Sequence, residues 1–132
     1  MKSRVVLADD HQAFRKALRS MLEHDPGIAI VGEAGDGNEL LDLVRSLQPD
    51  VVVTDIRMPG VGGIAALRQL VADHPGVKVI VVSVTSESQF ATEMLSAGAS
   101  AYVTKADAVE LPQAIHAVAS GSSYLSTEVK GG

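Results

Sequence analysis

The sequence predicts an α/β domain with an open, doubly wound parallel sheet. Five short segments rich in valine and isoleucine are mostly continuous in hydrophobicity, which is typical of parallel strands buried on both faces. Segments of helical periodicity separate them, and right-handed crossovers in such a (βα)₅ order place helices on both faces of the sheet. The length of 132 residues fits one domain of this kind.

The individual elements follow from local patterns. Strands are predicted at 4–8, 28–34, 50–54, 77–84 and 100–104. Helices are predicted at 11–24 and 109–119, where apolar residues recur on one face at Phe14, Ala17, Leu18, Met21 and Leu22, and at Leu111, Ala114, Ile115 and Val118. Between these two helices, three further helices complete the five.

Capping signals indicate where helices begin and end. Three pairs have the spacing of a capping box, namely Asp36 with Glu39, Ser86 with Gln89, and Asp107 with Glu110. The "HPG" segment at 74–76 and Gly98 in "SAGAS" indicate the ends of the third and fourth helices. After the last helix, residues 122–132 lack strong periodicity, so we expect this tail to fray or to begin a linker to an output domain.

Composition narrows the class of protein. A hydrophobic content of 46% with 20% charged residues fits a folded chain rather than a disordered one. The net charge of −5 argues against nucleic-acid binding by this chain, and no segment has the length of a signal peptide core or a membrane span. The chain has no cysteine, which excludes thiol chemistry and is in keeping with a cytoplasmic location.

Polar residues stand at the ends of four predicted strands. Asp9 and Asp10 follow the first strand, Asp55 follows the third, Ser83 lies near the end of the fourth and Lys105 follows the fifth. In open α/β sheets, ligands bind outside the carboxyl ends of the strands. If the strand order is 2-1-3-4-5, the first and third strands are neighbours, and the three aspartates share one pocket.

Charge repulsion indicates what this pocket binds. Two carboxylates roughly 5 Å apart repel by about 3 kcal/mol at an effective dielectric constant near 20, so three ionised ones require a cation nearby. Mg²⁺ takes one or two carboxylates and leaves room for a phosphate oxygen. With Mg²⁺ and Lys105 balancing the acids, the residues predict a phosphoryl-transfer site with a carboxylate nucleophile.

The chain resembles the receiver domain of bacterial two-component response regulators. The similarity covers roughly residues 3–121 and rests on "LADDH", "VVVTDIRMPG", "VVSVTS" and "AGASAYVTK" at their spacing. The segments "DIRMPG" and "YLSTEV" are most similar to the NarL/FixJ branch of transcription factors, also called LuxR-type. The resemblance implies a flavodoxin-like, or CheY-like, fold with strand order 2-1-3-4-5 over a receiver domain at 1–121, with 122–132 as the tail.

The resemblance also implies a role for each site residue. Asp55 would be the phosphorylated residue, Asp10 would ligate Mg²⁺ directly, and Asp9 would hold it through water. Arg57 would add its backbone carbonyl to the metal site. Ser83 and Lys105 would bind phosphoryl oxygens, and Tyr102 would be the aromatic switch residue.

Partners follow from the same family. A sensor histidine kinase would donate the phosphoryl group, and the altered face formed by 86–97, 100–104 and 109–119 would control dimerisation or an output domain. Relatives of this type carry a DNA-binding helix-turn-helix domain after the receiver, and the 132 residues stop before one.

Several alternatives stay open at this stage. Asp9 and Asp10 could be solvated caps of the first helix. Thr85 competes with Ser83 as the switch hydroxyl, and Tyr102 could be an ordinary packing residue. At the level of function, a haloacid-dehalogenase-like phosphatase is disfavoured because Arg57 stands where that family needs a second aspartate, and a receiver-like domain that is never phosphorylated is the other alternative.

Overall fold

The computed structural model describes residues 2–57 and 63–130. In chain order, these form β1 (Ser3–Ala8), α1 (Gln12–Leu22), β2 (Ile28–Ala34), α2 (Gly37–Leu47), β3 (Val51–Asp55), α3 (Gly63–Asp73), β4 (Lys78–Ser83), α4 (Ser88–Ser96), β5 (Ala101–Thr104), a 3₁₀ segment (Lys105–Glu110), α5 (Leu111–Ala119), β6 (Tyr124–Leu125) and α6 (Thr127–Lys130). None of the helices in these ranges is long and apolar enough to cross a membrane.

The strands form a single parallel sheet. Their order is β2-β1-β3-β4-β5-β6, so the predicted 2-1-3-4-5 order is confirmed and one strand is added at the edge. β1 and β3 are neighbours, with Ala8 beside Thr54, and β4 and β5 are neighbours, with Ser83 beside Thr104. This register brings the polar residues that end β1, β3, β4 and β5 together at the C-terminal end of the sheet.

Two apolar layers sandwich the sheet. Alternate strand residues such as Leu7, Val53 and Val82 pack with residues of α1 and α5 on one face, whereas α2, α3 and α4 cover the other face. Burying a valine or leucine side chain fully stabilises the fold by about 1.5–3 kcal/mol. Because such residues lie on both faces, both layers stabilise the sheet. The strand ends are therefore held by a well-packed core.

β2 contains one extra residue relative to β1. Val5 lies beside Ile30, but Val6 lies beside Gly32, so the register shifts between them. Because side chains alternate along a strand, the extra residue reverses the face taken by the residues that follow. Ile30 packs in the α1 layer, and Glu33, three positions later, also reaches α1.

Helix ends agree with the sequence in some places and differ in others. Asp36 accepts a hydrogen bond from the Glu39 N–H at 2.8 Å, which confirms that N-cap, and Gly98 has the positive φ of +113° expected after a helix. Ser86 is not a cap, because α4 begins at Ser88. Asp107 is not a cap either.

Instead, the hydroxyl of Thr104 accepts the Asp107 N–H and starts the 3₁₀ segment. The predicted turn at Pro59 and Gly60 lies outside the described residues.

The C-terminal tail differs most from expectation. Rather than fraying, Tyr124 and Leu125 pair with Ala101 and Tyr102 of β5 as a sixth parallel strand. Ser126 is fully buried and its hydroxyl accepts the Thr104 N–H, 3.1 Å away. The expectation of a frayed end is thus wrong for the described part of the tail, because hydrogen bonds to the open edge of β5 order it.

Candidate phosphoryl-transfer site

The three aspartates predicted to share a pocket do so. Asp9 and Asp10 directly follow β1, and Asp55 is the last residue of the neighbouring β3. One carboxylate oxygen from each lies within 4.8 Å of the others. Asp9 and Asp55 are buried and Asp10 is exposed, so the cluster opens to solvent on the Asp10 side.

Lys105 supplies the positive charge of this pocket. Its Nζ lies 3.0 Å from Asp9 Oδ2 and 2.9 Å from Asp55 Oδ2, so one ammonium group bridges both buried acids. Burial opposes the charged form, but the hydrogen bonds to Asp55 and Asp9 outweigh it and raise the pKa of Lys105. Lys105 therefore stays protonated and compensates part of the negative charge.

Backbone groups orient the same two carboxylates. The His11 N–H donates to Asp9 Oδ1 and the Arg57 N–H donates to Asp55 Oδ1, both at 2.8 Å. His11 is the N-cap residue of α1 and makes no side-chain capping bond. The interpretation of the acids as ordinary helix caps is therefore wrong.

The residues present fit a hard divalent cation. Three carboxylates carry three negative charges and Lys105 carries one positive charge, which leaves the pocket acidic. Mg²⁺ favours oxygen ligands of this kind and retains waters, and the exposed Asp10 gives it access. The predicted carbonyl contribution of Arg57 stays a prediction, although its backbone adjoins Asp55.

Ser83 lies at the end of β4, beside the pocket. It is buried, and its hydroxyl accepts the Thr85 N–H at 3.3 Å. Thr85 uses its own hydroxyl to accept the Glu87 N–H, also at 3.3 Å. Ser83 thus lies on the strand next to that of Asp55. Its role as the phosphoryl-binding hydroxyl stays a prediction.

Tyr102 points into the protein and connects two elements. It is fully buried, its hydroxyl donates to the Thr85 carbonyl at 2.6 Å, and its ring meets Phe90 of α4 edge to face, with centroids 6.0 Å apart. Burial raises the pKa of this phenol. Tyr102 therefore packs in the core and contacts the loop after β4, and its role as the switch residue stays a prediction.

Two neighbours of the pocket have no signal in the sequence pattern. The Lys105 ammonium lies 4.5 Å from the centroid of the Phe14 ring, a cation–π contact. Arg15 donates to the backbone carbonyl of Asp9 and to Glu33. In the sequence, Phe14 is one member of an apolar helix face and Arg15 falls outside it, so only the packing of α1 against β1 and β2 reveals their roles.

A comparison with protein families identifies the family of the chain. The model described as the response regulator receiver domain matches residues 5–116, which include all the site residues named above. This range ends before β6, so the model does not cover the ordered tail.

Individual proteins resemble the chain over most of its length. The response regulator GacA of Pseudomonas viridiflava is 43% identical over 127 residues, 96% of this chain but 59% of GacA. The chain thus spans somewhat more than half of that relative.

Two solved structures extend the comparison. A LuxR-family two-component response regulator from Aurantimonas sp. SI85-9A1 has a TM-score of 0.93 at 38% identity, covering 99% of this chain and 94% of the other. The isolated receiver domain of RcsB from Salmonella enterica serovar Typhimurium, determined with phosphomimetic BeF₃⁻, has a TM-score of 0.92 at 25% identity, covering 99% and 98%.

Proposed function

Because the chain belongs to the response regulator receiver family, we propose that it accepts a phosphoryl group on Asp55 from a sensor histidine kinase. Its similarity to NarL/FixJ-type relatives makes it a signalling domain. The observation that carries the proposal is the Lys105 ammonium bridging Asp9 and Asp55 beside the exposed Asp10. This combination suits a pocket in which a carboxylate nucleophile meets a phosphoryl group.

Asp55 is the nucleophile in this proposal. One of its carboxylate oxygens attacks the phosphorus of a phosphohistidine, the P–N bond breaks with its electron pair leaving on the imidazole nitrogen, and an aspartyl phosphate forms. The Arg57 N–H and the Lys105 ammonium orient the carboxylate before attack. Because these groups are already in place, little reorganisation is needed at the moment of transfer.

The acids would hold Mg²⁺ next to the reacting group. Asp10 and Asp55 would bind it directly, Asp9 through water, and the Arg57 carbonyl would complete the protein ligands. When bound, Mg²⁺ supplies charge neutralisation for the phosphoryl oxygens. Lys105 would then move its hydrogen bonds from the carboxylates to a phosphoryl oxygen.

Ser83 would connect the phosphoryl group to the rest of the domain. Its hydroxyl accepts a hydrogen bond from the Thr85 N–H, and a serine hydroxyl can also donate its own proton, which would go to a phosphoryl oxygen. A shift of the loop after β4 would move the Thr85 carbonyl, which accepts the hydrogen bond of the Tyr102 hydroxyl. Phosphorylation would thereby favour one packing of α4, β5 and α5 over another, a population shift.

The face formed by α4, β5 and α5 would then mediate dimerisation or contact an output domain. We propose a phosphorylation-dependent homodimer in the cytoplasm, with transcription regulation as the output. DNA binding is assigned to a helix-turn-helix domain outside these residues, because GacA extends well beyond the matched part and this chain is acidic.

Acetyl phosphate with Mg²⁺ tests the proposal directly. Intact mass measurement of the wild-type chain should show a gain of about 80 Da, one phosphoryl group. Asp55→Asn should abolish the gain, and Asp10→Asn, which keeps the nucleophile, should reduce it strongly at limiting Mg²⁺. A wild-type chain that gains no mass would support a receiver-like interaction domain, and steady turnover of a small phosphate ester would support a phosphatase.

A further inference from the structure

Arg15 connects three elements beside the acidic pocket. It extends from α1, its Nε lies 2.9 Å from Glu33 Oε1 on β2, and its Nη1 donates to the backbone carbonyl of Asp9. The same Nη1 reaches the carbonyl of Ala34 at 3.4 Å. With 17% of its side chain exposed, this guanidinium is largely withdrawn from solvent.

We propose that Arg15 is a positioning residue that fixes the Asp9–Asp10 backbone and so sets the affinity of the pocket for Mg²⁺. This inference rests on the proposed function, because it assumes that the acids hold Mg²⁺. Arg15 itself lies outside the set of predicted metal and phosphoryl ligands. It acts through the backbone of Asp9.

Both backbone polar groups of Asp9, the N–H and the carbonyl, make hydrogen bonds. Its N–H donates to the Ala34 carbonyl at 3.0 Å, and its carbonyl accepts from Arg15. That carbonyl belongs to the peptide bond leading to Asp10. Fixing it therefore fixes the direction in which the Asp10 side chain leaves the chain.

Asp10 depends on this backbone more than its neighbours do. Asp9 and Asp55 are each held by Lys105 and by a backbone N–H. Within the described residues, the exposed Asp10 side chain has no hydrogen bond or ion pair. Of the two acids proposed to ligate Mg²⁺ directly, Asp10 is thus the one oriented by its backbone alone.

The anchor of Arg15 depends on the extra residue in β2. The shift between Val5 and Val6 turns Glu33 toward α1, where it accepts hydrogen bonds from both Arg15 and Arg19. Burial favours the neutral acid, but the two guanidinium groups outweigh it and lower the pKa of Glu33. Glu33 therefore remains a charged partner that orients the guanidinium toward Asp9.

Geometry and charge make opposite predictions for Arg15 variants. If Arg15 acts as a nearby positive charge, its removal should strengthen Mg²⁺ binding, and Arg15→Lys should change nothing. If it acts by holding the Asp9 carbonyl, both variants should weaken binding, because lysine lacks the planar fork that contacts the carbonyls and Glu33 together. The sign of the change separates the two roles.

Mg²⁺ titration calorimetry on the folded protein is the experiment. We expect Arg15→Ala to raise the Mg²⁺ dissociation constant about tenfold, the size typical of lost outer-shell partners, with a smaller rise for Arg15→Lys. Arg19→Ala is the matched control, since Arg19 shares Glu33 but does not contact Asp9. It should leave the constant within about twofold, as a half-exposed pair contributes little.

The initial rate of phosphorylation by acetyl phosphate gives a second readout. Arg15→Ala should be slow at limiting Mg²⁺ and recover at saturating Mg²⁺, because the nucleophile and Lys105 are unchanged. Tighter or unaltered Mg²⁺ binding in both Arg15 variants would overturn the positioning role. If the wild-type protein binds no Mg²⁺, the proposed function fails instead, so the two failures are distinguishable.

Discussion

The acidic pocket and the edge where the tail joins β5 adjoin at Thr104 and Lys105 but are stabilised by different means. In the pocket, Lys105 compensates two buried carboxylates that would otherwise repel each other. At the edge, the hydroxyl of the buried Ser126 accepts the Thr104 N–H, and the buried Val129 adds apolar contact. The pocket therefore responds to cations, whereas the edge should not.

The 3₁₀ segment Lys105–Glu110 joins these two regions. Its first residue lies in the pocket, and its last, Glu110, accepts hydrogen bonds from the Tyr124 hydroxyl at 2.7 Å and the Thr127 N–H at 3.2 Å. Burial and the Glu110 carboxylate raise the pKa of Tyr124 to about 12, so this phenol stays a donor. The hydrogen bonds of this segment to the tail are therefore made by residues other than Lys105.

The largest effect should come from removing the charge in the pocket. Lys105→Met leaves the Asp9 and Asp55 carboxylates without a compensating positive charge. Because one partner of a buried ion pair is lost, we expect the free energy of unfolding to fall by about 3 kcal/mol. Excess Mg²⁺ should recover part of this loss by replacing the missing positive charge. Urea unfolding with and without Mg²⁺ measures both values.

Lys78→Met is the matched control for Lys105. Lys78 begins β4 at the opposite end of the sheet, so its replacement should have a small effect that Mg²⁺ does not alter. If Lys105→Met lowered the free energy of unfolding equally with and without Mg²⁺, compensation of charge would not explain how Lys105 stabilises the pocket.

A smaller effect should follow from breaking the edge. Ser126→Ala leaves the fully buried Thr104 N–H without its partner, which costs about 1–2 kcal/mol. Ser123→Ala in the exposed part of the tail serves as the control. The same unfolding measurement should give a loss that Mg²⁺ does not change, and Mg²⁺-dependent recovery would contradict the distinction between the two regions.

The sequence predicts the pocket well because its residues are chemically conspicuous. Acids and a lysine at the ends of apolar strands can be placed as soon as the strand order is known. The βα alternation predicts a doubly wound parallel sheet, and the resemblance to receiver domains adds the order 2-1-3-4-5. Only the direction of the side chains, such as the bridge from Lys105 to Asp9, requires coordinates.

The edge is harder to predict. β6 is two residues long, too short for a periodic pattern, and Ser126 is buried although serine is usually exposed. The extra residue of β2 is also invisible, because Gly32 alone indicates neither its presence nor the rotation of Glu33 toward α1. These features arise from pairing between distant segments.

The smallest expected effect tests how far the charge network of the pocket extends. The lowered pKa of Glu33 means that its stabilisation is present above the ordinary carboxyl value and is lost as pH falls through the folded-state pKa. Glu33→Gln should therefore cost less than about 1 kcal/mol near neutral pH, as expected for a partly exposed pair. This cost should shrink toward zero in acid.

Urea unfolding of Glu33→Gln and the wild type across a series of pH values checks this prediction. Glu23→Gln is the control, because Glu23 contacts only the outer side of the network, with its carboxylate 3.6 Å from Arg19 and 55% exposed. A cost that grew as the pH fell would have the wrong sign for an ionised Glu33. The charge network would then end at Lys105, and Arg15 would hold the Asp9 backbone without help from the Glu33 carboxylate.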